Sequence, residues 1–242
     1  MTESIRHDEA GFRIRAEQPT RVEGFVDAAF AFAVTLLVVS VGRVPESISE
    51  LLQAMRGVPA FAFSFLLIVR FWWAHRLWSR RFGIEDSYSV KLSLALVFVI
   101  LIYVYPLRMT AQMAFAGFSG GVLSESGRPL AVSSSNYREL YVIFAVGYAV
   151  VLAIFMLLHR HALRCADAIG LSPLERLRTR YNVLRNGAFM GVSLVSLVLS
   201  LLPLQGWQWA LPGLVYMSIS PLTFAIRRRE QRRVAASGLA SA

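Results

Sequence analysis

The residue that first demands a chemical explanation is a carboxylate inside an apolar stretch. Asp27 stands about two helical turns into Arg21–Gly42, RVEGFVDAAFAFAVTLLVVSVG. A charge at that depth in lipid is costly, so it must face protein or water and have a partner. Arg21 and Phe25 are spaced i, i+4 and share a helix face, with Asp27 somewhat around from it. A cation in a second apolar run, Arg70, is followed closely by Trp72 and His75. Counted from the Arg21 end and from the Arg76–Arg81 end, Asp27 and Arg70 lie at similar depth, which predicts an ion pair. Arg21, Phe25, Asp27, Arg70 and His75 thus form a candidate cluster, with Lys91 and Asn186 as further members. It has two readings, a structural latch and a proton relay. Charges buried together must pair, and that favours the latch. Trp72, Trp73 and Trp78 belong either near this cluster or to an interfacial aromatic belt.

Other reactive residue types form no catalytic pattern. The four histidines are His7, His75, His159 and His161. His159 and His161 are two apart and point to different helix faces, a poor metal pair. The single cysteine, Cys165, excludes an intrachain disulfide, and no metal ligand set is expected around it. H-E-x-x-H, G-x-S-x-G and the P-loop are missing from the sequence. No enzyme is expected, and no cofactor.

The elements that must position these residues are long and apolar. Of 242 residues, 56% are hydrophobic and 17% charged. That is too apolar for an ordinary soluble domain, and the apolar residues come in runs of about 20, the length of a membrane-crossing helix. The net charge of +10 would suggest nucleic acid in a soluble protein. Here the arginines gather at helix ends, so no nucleic-acid partner is expected. No signal peptide is convincing, because the first apolar run is too long for a signal core.

Within the first run, Ala28, Phe32, Thr35 and Val39 recur at helical spacing and form one stripe. Ala29 and Ala33 flank it, small residues that permit close helix approach. From periodicity alone the stripe reads as lipid-facing packing. The order of residues here resembles the first-helix signature R-x-x-x-F-S-D of the transmembrane-175 potassium channels, with Arg21, Phe25 and Asp27 in place and Val26 where the family has Ser. Ser64-Phe65 and Trp72 to His75 resemble the S-F…W-x-x-H pattern of that family's second helix. The resemblance implies passive, potassium-preferring conduction through a homotetramer whose first helices line the pore. It places Phe32 where the family usually has an Ile or Leu seal, so that a hydrophobic constriction gates the path, with Thr35 one turn outward and Val39 beyond. It implies K+ as permeant ion and that the signature residues brace the first helix.

Six spans are predicted, near 21–41, 57–78, 90–109, 140–158, 181 or 186 to 202, and 207–226. Thr20 is the expected N-cap of the first, and Ser172-Pro173 with Glu175 forms a helix start before the fifth. The third span is expected to end at Pro106, followed by a flexible loop over residues 112–138. Ala145 to Ala149, AVGYA, superficially looks like a potassium-channel filter but sits inside a helical run, so no P-loop-type selectivity filter is expected. Gly187 and Gly191 read as a packing notch. The arm, the second-to-third and fourth-to-fifth connections and the tail carry nineteen basic residues, against five (Arg43, Arg56, Arg108, Arg128, Arg138) in the opposite connections. The positive-inside rule then puts both termini in the cytoplasm.

The expected protein is all-α and integral to a bacterial-type inner membrane, in contact with the lipid bilayer. Residues 1–20 form a polar, solvated cytoplasmic arm, 21–226 the six-span channel domain, and 227–242 a basic, disordered cytoplasmic tail. A secondary transporter, or a proton or cation leak through Asp27, Arg70 and His75, is the alternative function. A transporter would predict discontinuous helices at mid-membrane.

Overall fold

The computed structural model describes residues 6–40, 44–124 and 134–237. The expected stop at Gly42-Arg43, the middle of the 112–138 loop and the last five residues lie outside the described residues. The fold is nearly all helical: α1 Arg21–Val39, α2 Ile48–Met55, α3 Val58–Phe82, α4 Ser87–Phe118, α5 Ser134–Arg164, α6 Pro173–Leu201, α7 Leu211–Leu214 and α8 Ile219–Ala236. Six helical segments are long and apolar enough to cross a membrane, with the last running from Gly206 to Ala236. α5 is the most buried of the six and packs against α4 and α6; α1 packs against α3 and α4.

The helix starts follow local chemistry. Thr20 accepts from the Glu23 amide and caps α1. Ser172 and Glu175 form a capping box on α6, satisfying two amides that a helix start leaves without partners. Asp86 caps α4 through the Ser89 amide. Desolvation pushes the Asp86 carboxyl up, but the Ser89 amide and hydroxyl and His161 together hold it below the usual carboxylate range.

Four expectations are corrected. α4 does not stop at Pro106 but continues to Phe118, so residues 112–118 are helical rather than loop. Proline removes one backbone donor without forcing an end where neighbouring helices support the segment; Thr110 then donates to the Pro106 carbonyl at 2.8 Å. The tail is not irregular from residue 227, since α8 carries RRREQRR on to Ala236. The G-x-x-x-G notch is not a tight contact within the protomer: a Cβ on Gly191 would meet nothing within 4 Å. The close approach is instead at Gly147, where a Cβ would lie 2.3 Å from the Tyr103 ring, while Tyr103 donates to the Phe144 carbonyl at 2.9 Å.

The fourth correction concerns the arm, which is docked rather than solvated. Phe12 is buried to 1% exposure against Phe82, edge to face, and the Arg81 guanidinium lies over its ring at 4.4 Å. Arg81 also donates to Asp8 at 2.7 Å. Arg15 ties the arm to the last turn of α3, the α5–α6 connection and the start of α6: it bonds both Glu175 oxygens at 2.8 and 2.9 Å, and the Arg81, Ile169 and Gly170 carbonyls. A bidentate guanidinium–carboxylate pair with its remaining donors satisfied is the strong form of ion pair.

The last span begins as a 3₁₀ turn, Gly206–Ala210, then α7 and a second 3₁₀ turn, Val215–Ser218. The joining residues Leu211, Val215 and Ile219 all keep right-handed helical dihedrals. The segment is therefore a continuous helix tightened over two stretches, and not the unwound helix of a transporter site.

Candidate helix for the ion path

α1 is held on one side and open on the other. Glu23, Val26, Phe30, Ala33 and Leu37 are buried against α3 and α4. Gly24, Phe25, Ala28, Ala31, Phe32, Thr35, Val38 and Val39 are exposed along the whole helix. Phe32 is 55% exposed and Val39 63%, whereas the intervening Ala33 and Leu37 are at zero. The stripe Ala28, Phe32, Thr35, Val39 therefore coincides with the face that the protomer leaves uncovered. Thr35 spends its hydroxyl proton on the Ala31 carbonyl at 3.1 Å, so what it offers outward is an oxygen acceptor.

At the foot, the expected five-residue cluster is divided. The Asp27 carboxylate accepts a hydrogen bond from Trp72 Nε1 at 2.7 Å. Among the described residues no ion pair joins it to Arg70, which is exposed on α3. Depth alone does not determine which residue meets α1: positions 70 and 72 differ by about 200° around the helix, so only one can face it. Arg21 and Phe25 also point out of the protomer. His75 is buried on the inner side and shares a 3.0 Å hydrogen bond with Ser93 Oγ, with its ring beside Trp78. Glu23 is 3% exposed and accepts from Ser79 Oγ at 3.3 Å. Asp27 thus ties α1 to α3 through Trp72 while His75 ties α3 to α4 through Ser93, and among the described residues no direct hydrogen bond runs from one to the other to make a relay. A mainly apolar cavity of about 400 Å³ opens between α1 and α3 above Asp27, with Phe30, Val34, Phe65 and Ile68 in its wall.

The far end of α1 has a brace at a position that, in sequence, falls among the connections. Arg108, on the extended α4, is 3% exposed. It donates to Ser40 Oγ at 2.7 Å and approaches the Leu37 carbonyl at 3.4 Å. A cation at a helix C-terminus satisfies free carbonyls and complements the helix dipole. The signal that could have located it is its distance from the α4 start: about 21 residues at 1.5 Å each spans the hydrocarbon, which brings Arg108 level with the end of α1.

The division at the foot predicts how substitutions rank. Asp27→Asn keeps an oxygen acceptor for the indole and should lose only the charge reinforcement. Trp72→Phe removes the donor and should cost about 1.5–3 kcal/mol, the range for a hydrogen bond to a charged group. Thermal unfolding of the purified protein in detergent checks this. If Asp27→Asn is the more damaging of the two, the carboxylate charge and not the indole bond secures the foot.

Comparison with known proteins agrees with this architecture. A family model for the endosomal/lysosomal potassium channel TMEM175 matches residues 21–106. A potassium channel from Marivirga tractuosa is 31% identical over 222 residues, covering 90% of each chain. The chain belongs to the TMEM175 potassium channel family. A crystal structure of a variant of the potassium channel MtTMEM175, in complex with a nanobody–MBP fusion protein, superposes with a TM-score of 0.79 at 29% identity, covering 94% of this chain and 100% of that one. The TMEM175 match begins at Arg21 and takes in α1, α2, α3 and most of α4, and so includes the two helices, α3 and α4, whose contacts hold α1. The chain is a six-span, all-α membrane protein and, as a member of a channel family, not an enzyme.

Proposed function

We propose that this chain is the subunit of a potassium-preferring cation channel, a homotetramer in which four copies of α1 surround the ion path. K+ permeates passively and no cofactor takes part. Phe32 forms the hydrophobic constriction, with Thr35 and Val39 along the same wall. The observation that carries this reading is the uncovered stripe of α1 in a chain of potassium-channel kinship. Arg70 supports assembly: it is exposed about 18 Å inside the Phe82 end of α3, where a guanidinium facing lipid is costly and one facing protein or water is not. Asp27 and Arg108 hold α1 in place and His75 fastens the supporting α3 to α4, while Arg21 and Phe25 stand on the outward side of α1 at the foot. The distribution of arginines favours cytoplasmic termini in a bacterial-type inner membrane.

Selectivity should be weak, because AVGYA lies inside α5 and supplies no ring of free carbonyls. Planar bilayers with K+ on one side and Na+ on the other test this. The reversal potential should move toward the K+ equilibrium value, by less than in channels with a carbonyl filter. A reversal potential of zero would refute the K+ preference. Saturable, coupled uptake without single-channel steps would replace the channel by a transporter.

A further inference from the structure

Three metal-ligating side chains outside the proposed ion path converge where α4 begins and α5 ends. Asp86 caps α4 with Oδ1, which accepts from the Ser89 amide at 2.8 Å. Its other oxygen, Oδ2, lies 2.6 Å from His161 Nε2. Cys165 follows His161 by four residues on the same helical face, its amide donating to the His161 carbonyl, and Sγ is 3.7 Å from the same Nε2. The three donor atoms all lie within 4.8 Å of one another. The Tyr88 ring packs against the imidazole with centroids 4.8 Å apart, and the His161 side chain is 11% exposed.

The arrangement says which chemistry the cluster serves. A nucleophilic cysteine relay needs the carboxylate and the thiol on opposite nitrogens of the imidazole, so that one orients the ring while the other nitrogen takes the proton. Here both face Nε2. A plain carboxylate–imidazole pair would need no thiol. Sulfur, nitrogen and oxygen donors pointing at one centre are instead a chelating set. Tetrahedral zinc with its usual bond lengths puts donors about 3.3–3.6 Å apart, so adjustments of about 1 Å would close the set around an ion. Thiolate, imidazole and carboxylate together suit a borderline cation. The Asp86 oxygen left for the ion belongs to a carboxylate already oriented by the helix start, the kind of outer support that metal ligands require.

We propose that Asp86, His161 and Cys165 form a binding site for a borderline divalent cation, Zn2+ by its donor set, that fastens the start of α4 to the end of α5. On binding, the Cys165 thiol gives its proton to solvent and His161 carries its proton on Nδ1, leaving the Nε2 lone pair for the ion. The two ligand charges then balance the cation, and a fourth coordination position remains open to solvent.

Full-length protein in detergent, purified without a polyhistidine tag, is titrated with Zn2+ against a chromogenic chelator and, separately, with Co2+. One saturable site per chain is expected, and the Co2+ complex should show a thiolate charge-transfer band. Cys165→Ser should abolish that band, and Cys165→Ser and His161→Gln should each weaken Zn2+ at least tenfold. Asp86→Asn keeps the helix cap, since Asn caps as well as Asp, and should also weaken binding. Zn2+ should raise the melting temperature of the unaltered protein but not of Cys165→Ser. An unaltered protein with no saturable site overturns the proposal. So does a Co2+ complex lacking the thiolate band, or a Cys165→Ser variant that keeps its affinity within tenfold.

Discussion

Phe32→Ala in reconstituted vesicles is expected to raise passive K+ flux about tenfold or more. The barrier at a ring of large apolar side chains is the cost of stripping water from the ion or drying the constriction. Lowering that barrier by only about 1.4 kcal/mol multiplies the rate by ten, and in the proposed tetramer four shortened side chains would widen the path together. Protomer stability should hardly change, because Phe32 is more than half exposed and leaves no cavity when shortened. This separates the result from misfolding: unaltered melting with a large gain in flux locates Phe32 in the path. Unchanged flux would move the stripe from the pore wall to a lipid-facing position, the assignment that its periodicity alone supports.

Arg108→Met is expected to give the largest loss of stability among single changes around α1. Methionine keeps most of the side-chain length, so the loss concerns donors rather than volume. Ser40 Oγ loses the guanidinium, and the Leu37 carbonyl is left with the Ser40 hydroxyl alone; each hydrogen bond from a charged donor that is lost costs about 1.5–3 kcal/mol. For a chain of this size such a loss corresponds to a melting temperature lower by roughly 5–10 °C. Ser40→Ala should cost less, since the guanidinium can still reach the helix end. Arg108→Met melting at the unaltered temperature would show that α1 needs no cation at its far end.

What the sequence displayed was local. Six spans follow from run length and apolarity, and the caps Thr20 and Ser172 with Glu175 from residue type at fixed offsets. The uncovered face of α1 follows the 3.6-residue period. What it concealed was contact between distant segments. Arg15 and Glu175 are 160 residues apart, and a lone Phe12 in a polar arm carries no period to mark it as core. Depth along a span pairs Asp27 with Arg70, but depth carries no rotation, and rotation brings Trp72 instead. Pro106 looks like a stop because, in water, proline usually is one. Proximity in sequence pairs His161 with His159, two positions away, whereas its neighbours are Cys165 one turn on and Asp86 in another connection. The Ser hydroxyls that hold α6, Ser193 on the Ala145 carbonyl and Ser196 on the Pro212 carbonyl, look like ordinary small residues in a list.

The docking of Arg15 constrains how α1 can move. Only residues 16–20 separate that anchor from the first turn of α1, at most about 18 Å of fully extended chain. This is a short leash, and its other end is fastened to the last turn of α3 and the α5–α6 connection. A rotation or slide of α1 beyond the slack must either drag those segments with it or tear Arg15 from Glu175. Displacement of the terminus-bearing face therefore reaches the opening helix as mechanical pull along the backbone.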